Sequence, residues 1–231
     1  MSEPLDPALS PRGEALAPAG DVLAPVDRAP APAGETPSAR SGLPPLARDV
    51  FTAIPEIAED MGARPSNETC PGFVDRLLAS PTPEEAVTFF AYLLPPEAAV
   101  LWGHRCIAAK TSATTPAERP LADLIAVFVA SGLAPDEREA LRQEIRAVAE
   151  TSRPRSPVVW IALGLAWSTG SLSAPDLPPL TAPAYATPRA INAGVLGLLA
   201  RADIAERAAT LSGFVAIGRR IAAAIAAGRP A

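Results

Sequence analysis

The sequence predicts an all-α protein: a single irregular bundle of about eight or nine helices, preceded by a disordered Pro/Ala-rich N-terminal tail. Three observations predict this fold class. Alanine is abundant, whereas aromatic residues make up only 5% of the 231 residues, a composition that does not suit a β-sandwich. Apolar residues recur at helical spacing from about residue 46 onward. Several of the 28 prolines directly follow Ser or Thr, a pairing typical of helix N-termini.

The N-terminal segment differs from the rest of the chain. Residues 1–45 contain ten prolines, no aromatic residue and no periodic apolar pattern. Such a segment buries too little apolar surface to offset the entropy of ordering it. The sequence therefore predicts a disordered tail over residues 1–45 and one all-helical domain over residues 46–231. Ala-Pro runs within the tail favour an extended, semi-rigid spacer.

Capping residues divide the domain into helices. Starts are predicted at Thr82 with Glu85, Thr115 with Glu118, Ser156, Thr187, and Asp203 with Glu206. The predicted helices cover residues 46–60, 71–79, 83–94, 96–110, 120–131, 135–151, 157–168, 188–201 and 204–227. The Ser/Thr-Pro starts lie 33, 41 and 31 residues apart, a spacing similar to that of stacked helical hairpins. Corresponding side chains match poorly, so a single bundle is favoured and helical-hairpin repeats are the alternative.

Two predicted helices differ in their polarity. In 135–151, Leu141, Ile145 and Val148 form an apolar stripe, and charged residues that include Arg142 cover the other faces. We therefore expect a surface helix. Helix 157–168 carries no charge on any face, which predicts the central, fully surrounded helix of the bundle.

Charge and composition exclude several classes of function. A net charge of −5 with a pI near 5.0 gives no basic surface for nucleic acid. The N-terminus lacks the pattern of a signal peptide, and no uninterrupted apolar run reaches the roughly 20 residues that span a bilayer. We therefore expect a cytoplasmic protein without a transmembrane segment. Cys70 and Cys106 are expected to be reduced thiols.

Enzymatic and ligand-binding chemistry finds little support in the sequence. His104 is the only histidine, which excludes a multi-histidine metal site, and Glu97 is the carboxylate expected to meet it. Phosphate-loop, nucleophile-elbow and calcium-loop motifs are missing from the sequence. We therefore predict no catalytic, cofactor-binding or metal-binding residue. Core packing is the favoured role of Trp102, Trp160 and Trp167, and a pocket formed by these three with His104 is the alternative.

The segment after the predicted central helix is favoured as a structural connection, and it is also the candidate partner-binding site. It combines a Gly/Ser-rich stop with an extended Pro-rich connection across the domain surface. Prolines alternate there with leucines, so apolar side chains are exposed without paired backbone groups. The candidate residues are Ser171, Leu172, Pro175, Leu177, Pro178 and Leu180.

The last predicted helix, 204–227, suggests a different role. Alanines together with Gly213 and Gly218 allow close helix packing, either within the domain or between protomers. From Phe214 to the end of this helix, the two basic residues are Arg219 and Arg220, which provide only weak attraction to a lipid surface. A homo-oligomer assembled through this helix is therefore an alternative function, as a structural subunit.

Three stretches resemble an uncharacterised family of bacterial all-helical proteins. The family pattern reads LP-x-EAV-x-W, then W-x-AL-x-x-x-W-S-x-GSL, then T-x-RA. The matching stretches are 94–102, 160–172 and 187–190, and the resemblance covers about residues 80–220. Leu101 and Gly103 depart from the pattern. The resemblance implies an accessory or adaptor role near type VI secretion effector modules and carries over no catalytic residues.

The leading functional prediction is a non-enzymatic protein-interaction module, an adaptor or chaperone-like accessory protein of a bacterial secretion or effector assembly. A small-ligand binder or enzyme that uses the tryptophan and His104 pocket is the first alternative. A structural oligomer subunit is the second.

Overall fold

The computed structural model describes residues 42–130, 132–173 and 177–229, and over these residues it confirms the all-α bundle. The predicted tail, 1–45, lies outside the described residues except for its last four positions. Ten α-helices occur within the described ranges: α1 Ala47–Ala53, α2 Ile57–Asp60, α3 Cys70–Leu78, α4 Glu85–Leu93, α5 Pro96–Ala109, α6 Arg119–Val129, α7 Pro135–Thr151, α8 Pro157–Ser168, α9 Ala186–Ala200 and α10 Ile204–Ala226.

Helix α8 lies at the centre of the bundle, as its uncharged sequence predicts. It packs against α5, α6, α7 and α9, and its contact with α9 is the most extensive between any two of the described helices. Two glycines allow this close approach. A Cβ on Gly164 would lie 2.7 Å from Cδ1 of Ile191, and one on Gly194 would lie 2.5 Å from Cγ1 of Ile161. The helix is not fully surrounded, however, because Trp160 and Trp167 remain partly exposed.

Helix α10 packs along α4, α5 and α9. The Trp102 indole N–H on α5 donates to the carbonyl oxygen of Phe214 at 2.9 Å, and Gly218 lies against the ring of Phe90. Gly213, by contrast, has no atom within 4 Å of where a Cβ would stand. Gly218 therefore allows close packing within the domain, as predicted, whereas Gly213 faces outward.

By length and composition alone, α10 could cross a membrane. Its 18-residue window has a mean hydropathy of 1.3, and 33% of that window is buried in the bundle. The sequence of this helix contains no uninterrupted apolar run of membrane-spanning length, because Arg219 and Arg220 interrupt it. Core helices of bundles satisfy the same criterion, and the buried side of α10 packs as such a helix does.

The predicted N-terminal caps are confirmed at some helices and wrong at others. Ser156 accepts a hydrogen bond from the Val159 N–H, as expected. The capping box of Thr115 and Glu118 forms, although it opens a short 3₁₀ turn ahead of α6. The box predicted for Thr82 does not form, because the carboxylate of Glu85 accepts instead from the backbone N–H groups of residues 62 and 63.

The remaining boundary corrections have similar causes. Asp203 makes no side-chain cap on α10, and Glu206 forms an ion pair with Lys110 instead. The predicted helix 46–60 is divided into α1 and α2 around Pro55, which cannot donate a helical hydrogen bond. Helix α9 begins before Thr187, whose hydroxyl donates to the Gly164 carbonyl oxygen of α8.

The buried face of α7 also differs from the prediction. Its buried residues are Arg142, Ile145 and Ala149, whereas Val148 is 40% exposed and Leu141 is only partly buried. The helix is thus rotated relative to the predicted apolar stripe. Arg142, which was expected on a solvated face, faces the bundle with 1% of its surface exposed.

Candidate functional site

The loop after α8 carries the residues predicted to bind a partner, and it is closed at its base. The backbone N–H of Leu172 donates to the carbonyl oxygen of Leu180 at 2.7 Å. The Ser171 hydroxyl accepts from the N–H groups of Ser173 at 3.0 Å and Leu180 at 3.1 Å. Ser171, Leu172 and Leu180 are therefore brought together, whereas the predicted site residue Pro175 lies outside the described residues.

Arg142 of α7 joins this loop to the bundle. Its Nη1 donates to the carbonyl oxygen of Ala166 in the last turn of α8 at 2.6 Å, and its Nη2 donates to that of Ser171 at 3.0 Å. Two further hydrogen bonds, at 2.6 and 2.7 Å, reach the carboxylate of Glu139 and lower the pKa of that group. The buried guanidinium therefore has both a counter-charge and partners for its N–H groups, which makes its burial tolerable.

Two neighbouring residues complete the attachment. Gly170 has a φ of +71°, in the left-handed region, and a Cβ there would lie 2.7 Å from Nη2 of Arg142. Arg146, one turn after Arg142, donates from Nη1 to the carbonyl oxygen of Leu172 at 2.8 Å and forms an ion pair with Glu150. Ser171 and Leu172, in the first arm of the loop base, are thus both held from α7, and Leu180 in the second arm is bonded to these two residues.

The far side of the loop presents apolar side chains to solvent. Leu177 is 58% exposed and Leu180 is 59% exposed, and Pro178 and Pro179 between them are also exposed. Residues that precede a proline are restricted to extended backbone conformations. Leu177, Pro178, Pro179 and Leu180 therefore form an exposed apolar edge, which we call the Leu/Pro edge.

The loop and its supporting helices lie within a known family of sequences. The family of unknown function DUF6931 matches residues 73–222. The chain belongs to this family. No curated protein and no solved structure matches the chain. The DUF6931 region begins within α3, ends within α10 and includes the Leu/Pro edge, in agreement with the expected membership of an uncharacterised family. The family description states no activity and no link to type VI secretion.

Within the DUF6931 region, the three tryptophans have different environments. Trp102 is fully buried, and its ring lies 5.9 Å from that of Phe90. Trp160 and Trp167 pack against the core but keep part of their surface in solvent, and the guanidinium of Arg155 lies 5.9 Å from the Trp160 ring centroid. Core packing is confirmed in full for Trp102 and in part for the other two.

His104 is half-buried, and among the described residues its Nδ1 has no hydrogen-bond partner. Burial lowers the pKa of the imidazole, and the charge of Arg105 lowers it further. Among the described residues, the expected contact between His104 and Glu97 does not form. The Glu97 carboxylate instead forms an ion pair with Arg138, 3.7 Å from its Nη2. Three cavities in the described part of the chain are lined by neither His104 nor a tryptophan.

Residues 42–130, 132–173 and 177–229 contain no group of three His, Cys, Asp or Glu side chains arranged to hold a metal ion. Cys70 and Cys106 are both free and buried, and burial raises the pKa of each thiol, for Cys70 to about 11. Raised thiol pKa values oppose nucleophilic chemistry at neutral pH, since the thiolate is the reactive form.

Proposed function

We propose that the chain is a non-enzymatic protein-interaction module, an adaptor or chaperone-like accessory protein that binds its partner through the Leu/Pro edge. The observation that carries this proposal is the pairing of exposed apolar side chains with a buried anchor. Leu177 and Leu180 are each more than half exposed, while Arg142 fixes the base of their loop from inside the bundle.

Single exposed leucines are common on protein surfaces and by themselves indicate nothing. The Leu/Pro edge differs from such single leucines because its loop is anchored to the bundle by Arg142. A loop held in one geometry loses less conformational entropy when it binds, so more of the interaction energy appears as affinity. Arg142, Arg146 and Gly170 all contribute to that geometry, although none of them belongs to the exposed edge.

The chemistry of the edge defines what a partner must offer. Pro178 and Pro179 have no backbone N–H, so recognition depends on apolar contact and on the carbonyl oxygens. Extended proline segments typically bind aromatic-lined grooves, with apolar pockets for flanking side chains. The partner is therefore a protein with such a groove. The resemblance noted above suggests a component of a type VI secretion effector module.

Photo-crosslinking in the native host tests the proposal directly. The photoreactive residue p-benzoylphenylalanine replaces Leu177 in one variant and Ile204 in another. Ile204 is 94% exposed and serves as the matched control, because it is an apolar residue outside the edge. We expect one adduct of defined mass from position 177 and none from position 204. Equal labelling at both positions, or none at 177, would contradict the proposal.

Substitution then tests the edge against the identified partner. Leu177→Asp combined with Leu180→Asp should weaken binding by at least about tenfold, since two apolar side chains are lost from the interface. Ile204→Asp should leave the affinity unchanged. Urea unfolding of all variants verifies the fold, because exposed positions contribute little to stability.

A further inference from the structure

An apolar groove lies on another part of the molecule, where the chain enters the bundle. It has a volume of about 400 Å³ and runs between the leading segment, residues 43–45, and helices α3, α4 and α10. Apolar side chains form most of its walls, and the larger ones are Leu43, Val74, Phe90 and Leu93. Pockets of about 300–1,000 Å³ with such linings are typical of small-molecule sites.

The walls of this groove are held in place without a ligand. The backbone N–H of Cys70 donates to the carbonyl oxygen of Pro45 at 3.3 Å, and its thiol donates to that of Pro44 at 3.1 Å. On the opposite side, Phe90 is packed between Gly218 and the ring of Trp102. A ligand would therefore enter a preformed site.

Charge on the groove is concentrated at one residue. Arg219 is the single charged side chain among the described residues that line it. Its Nη2 forms an ion pair with Asp75, whose side chain is 66% exposed. Within the described part of the chain, its Nε and Nη1 groups have no acceptor. The guanidinium can therefore donate to a second carboxylate beside that of Asp75, since exposed ion pairs are weak and arginine has five N–H donors.

We propose that this groove binds a single-chain aliphatic carboxylate, with the hydrocarbon chain along the apolar walls and the carboxylate on Arg219. Apolar burial supplies most of the affinity, because each methylene removed from water contributes separately. The arginine fixes the orientation of the chain by holding its polar end at the groove mouth.

Titration of the full-length chain with dodecanoate below its micellar concentration is the first test. Tryptophan fluorescence provides the signal, because the ring of Trp102 lies 5.9 Å from that of the groove residue Phe90. Saturable binding to one site is expected, with decanoate about tenfold weaker for the loss of two methylenes. Dodecanol should bind up to about fivefold more weakly than dodecanoate. Affinity that does not depend on chain length would overturn the proposal.

Variants on one helix locate the site. Ala222→Phe fills the groove and should weaken dodecanoate binding by about tenfold or more, whereas Ala209→Phe, elsewhere on α10, is the matched control and should not. Arg219→Gln should make dodecanoate and dodecanol equally weak. Wild-type affinity in Ala222→Phe would refute the site.

Thiol protection gives a readout that needs no substitution. Dodecanoate should slow the labelling of Cys70, which lines the groove, and leave the labelling of Cys106, which does not line it, unchanged. Because both thiols are buried and have raised pKa values, labelling is measured under alkaline conditions in which Cys70 reacts without dodecanoate. Equal rates of Cys70 labelling with and without dodecanoate would then overturn the proposal. So would binding to anionic phosphatidylglycerol vesicles without binding to monomeric dodecanoate.

Discussion

At the scale of single residues, Arg142 links the interior of the bundle to its proposed binding edge. Its charge is balanced by Glu139, and its other contacts are to two backbone carbonyl oxygens, in α8 and in the following loop. Removal of a buried guanidinium leaves those carbonyl groups without a donor, which is costly where water does not reach them.

Arg142→Met should therefore lower the free energy of unfolding by about 3 kcal/mol and release the loop. Urea unfolding measures the first effect, and amide hydrogen exchange at Leu172 and Leu180 measures the second. Arg146→Met is the control, with an expected loss of about 1 kcal/mol, because its side chain is partly exposed and it makes a single bond to the loop. Unchanged exchange at both leucines in Arg142→Met would contradict the anchoring role.

Replacement of two glycines by alanine should change the stability of the fold in opposite directions. Gly170→Ala should destabilise the fold by about 2 kcal/mol, because alanine is strained at a positive φ and its Cβ would meet Arg142. Gly213→Ala should stabilise it by about 0.5 kcal/mol, since the position is helical and has open space. Thermal unfolding of both variants measures the difference. A neutral Gly170→Ala would mean that the loop base adapts freely.

Of the proposed site, the exposed residues could be predicted from the sequence and the buried anchor could not. Leu177, Pro178 and Leu180 could be found because prolines restrict the backbone locally. Arg142 could not, because an amphipathic helical pattern places charged residues on the solvated face. On a helix, residues 142, 145 and 149 share one face, so an arginine in line with Ile145 and Ala149 was the available signal.

At the scale of helices, a predicted capping box is lost where its glutamate binds a tertiary partner in place of the cap, although Glu118 keeps its box while it also binds Arg201. Glu118 closes its predicted box, whereas Glu85 binds the loop at 62–63 and Glu206 binds Lys110. A capping box contributes roughly 1 kcal/mol, so another hydrogen bond or ion pair of similar strength can replace it. The sequence alone does not show whether a glutamate will bind the helix cap or a tertiary partner.

Glu118 also connects the start of α6 to the end of α9, and its ionisation should make the stability of the fold depend on pH. Its carboxylate accepts two hydrogen bonds from Nη1 of Arg201, beyond the end of α9, and one from the Thr115 N–H. Burial alone would raise the pKa of Glu118, but the hydrogen bonds from Arg201, Ser156 and Thr115 outweigh it and bring the pKa to about 2.

Because this folded pKa lies below the ordinary value of 4.5, the stabilisation is complete above that value and is lost as the pH falls toward 2. The contribution is about 3 kcal/mol. Glu118→Gln should therefore flatten the dependence of the urea midpoint on pH between about pH 5 and pH 3. Glu84→Gln, at a more exposed ion pair with Arg207, should leave the slope as in the wild type. A wild-type slope in Glu118→Gln would refute the assignment.

At the scale of the whole molecule, the fold class followed from the sequence because helix periodicity, proline positions and composition all agreed. The packing of one helix on another did not follow. Close contact of α8 with α9 depends on Gly164 and Gly194, and an indole N–H of α5 donates to a backbone carbonyl oxygen of α10 where these two helices pack. These contacts join residues far apart in the chain, and local sequence patterns do not encode such pairings.

Deletions from the N-terminus test where the folded unit begins. The described core begins at Ala47, and just before it residues 44–45 are bound to Cys70. Deletion of residues 1–41 should therefore leave the urea midpoint and the slope of unfolding unchanged. Deletion of residues 1–46 removes those two hydrogen bonds and the packing of Leu43, and should cost about 2 kcal/mol. Equal losses in both deletions would show that the domain depends on residues before 42. A loss confined to the longer deletion would place its start within the leading segment, a few residues earlier than the predicted position 46.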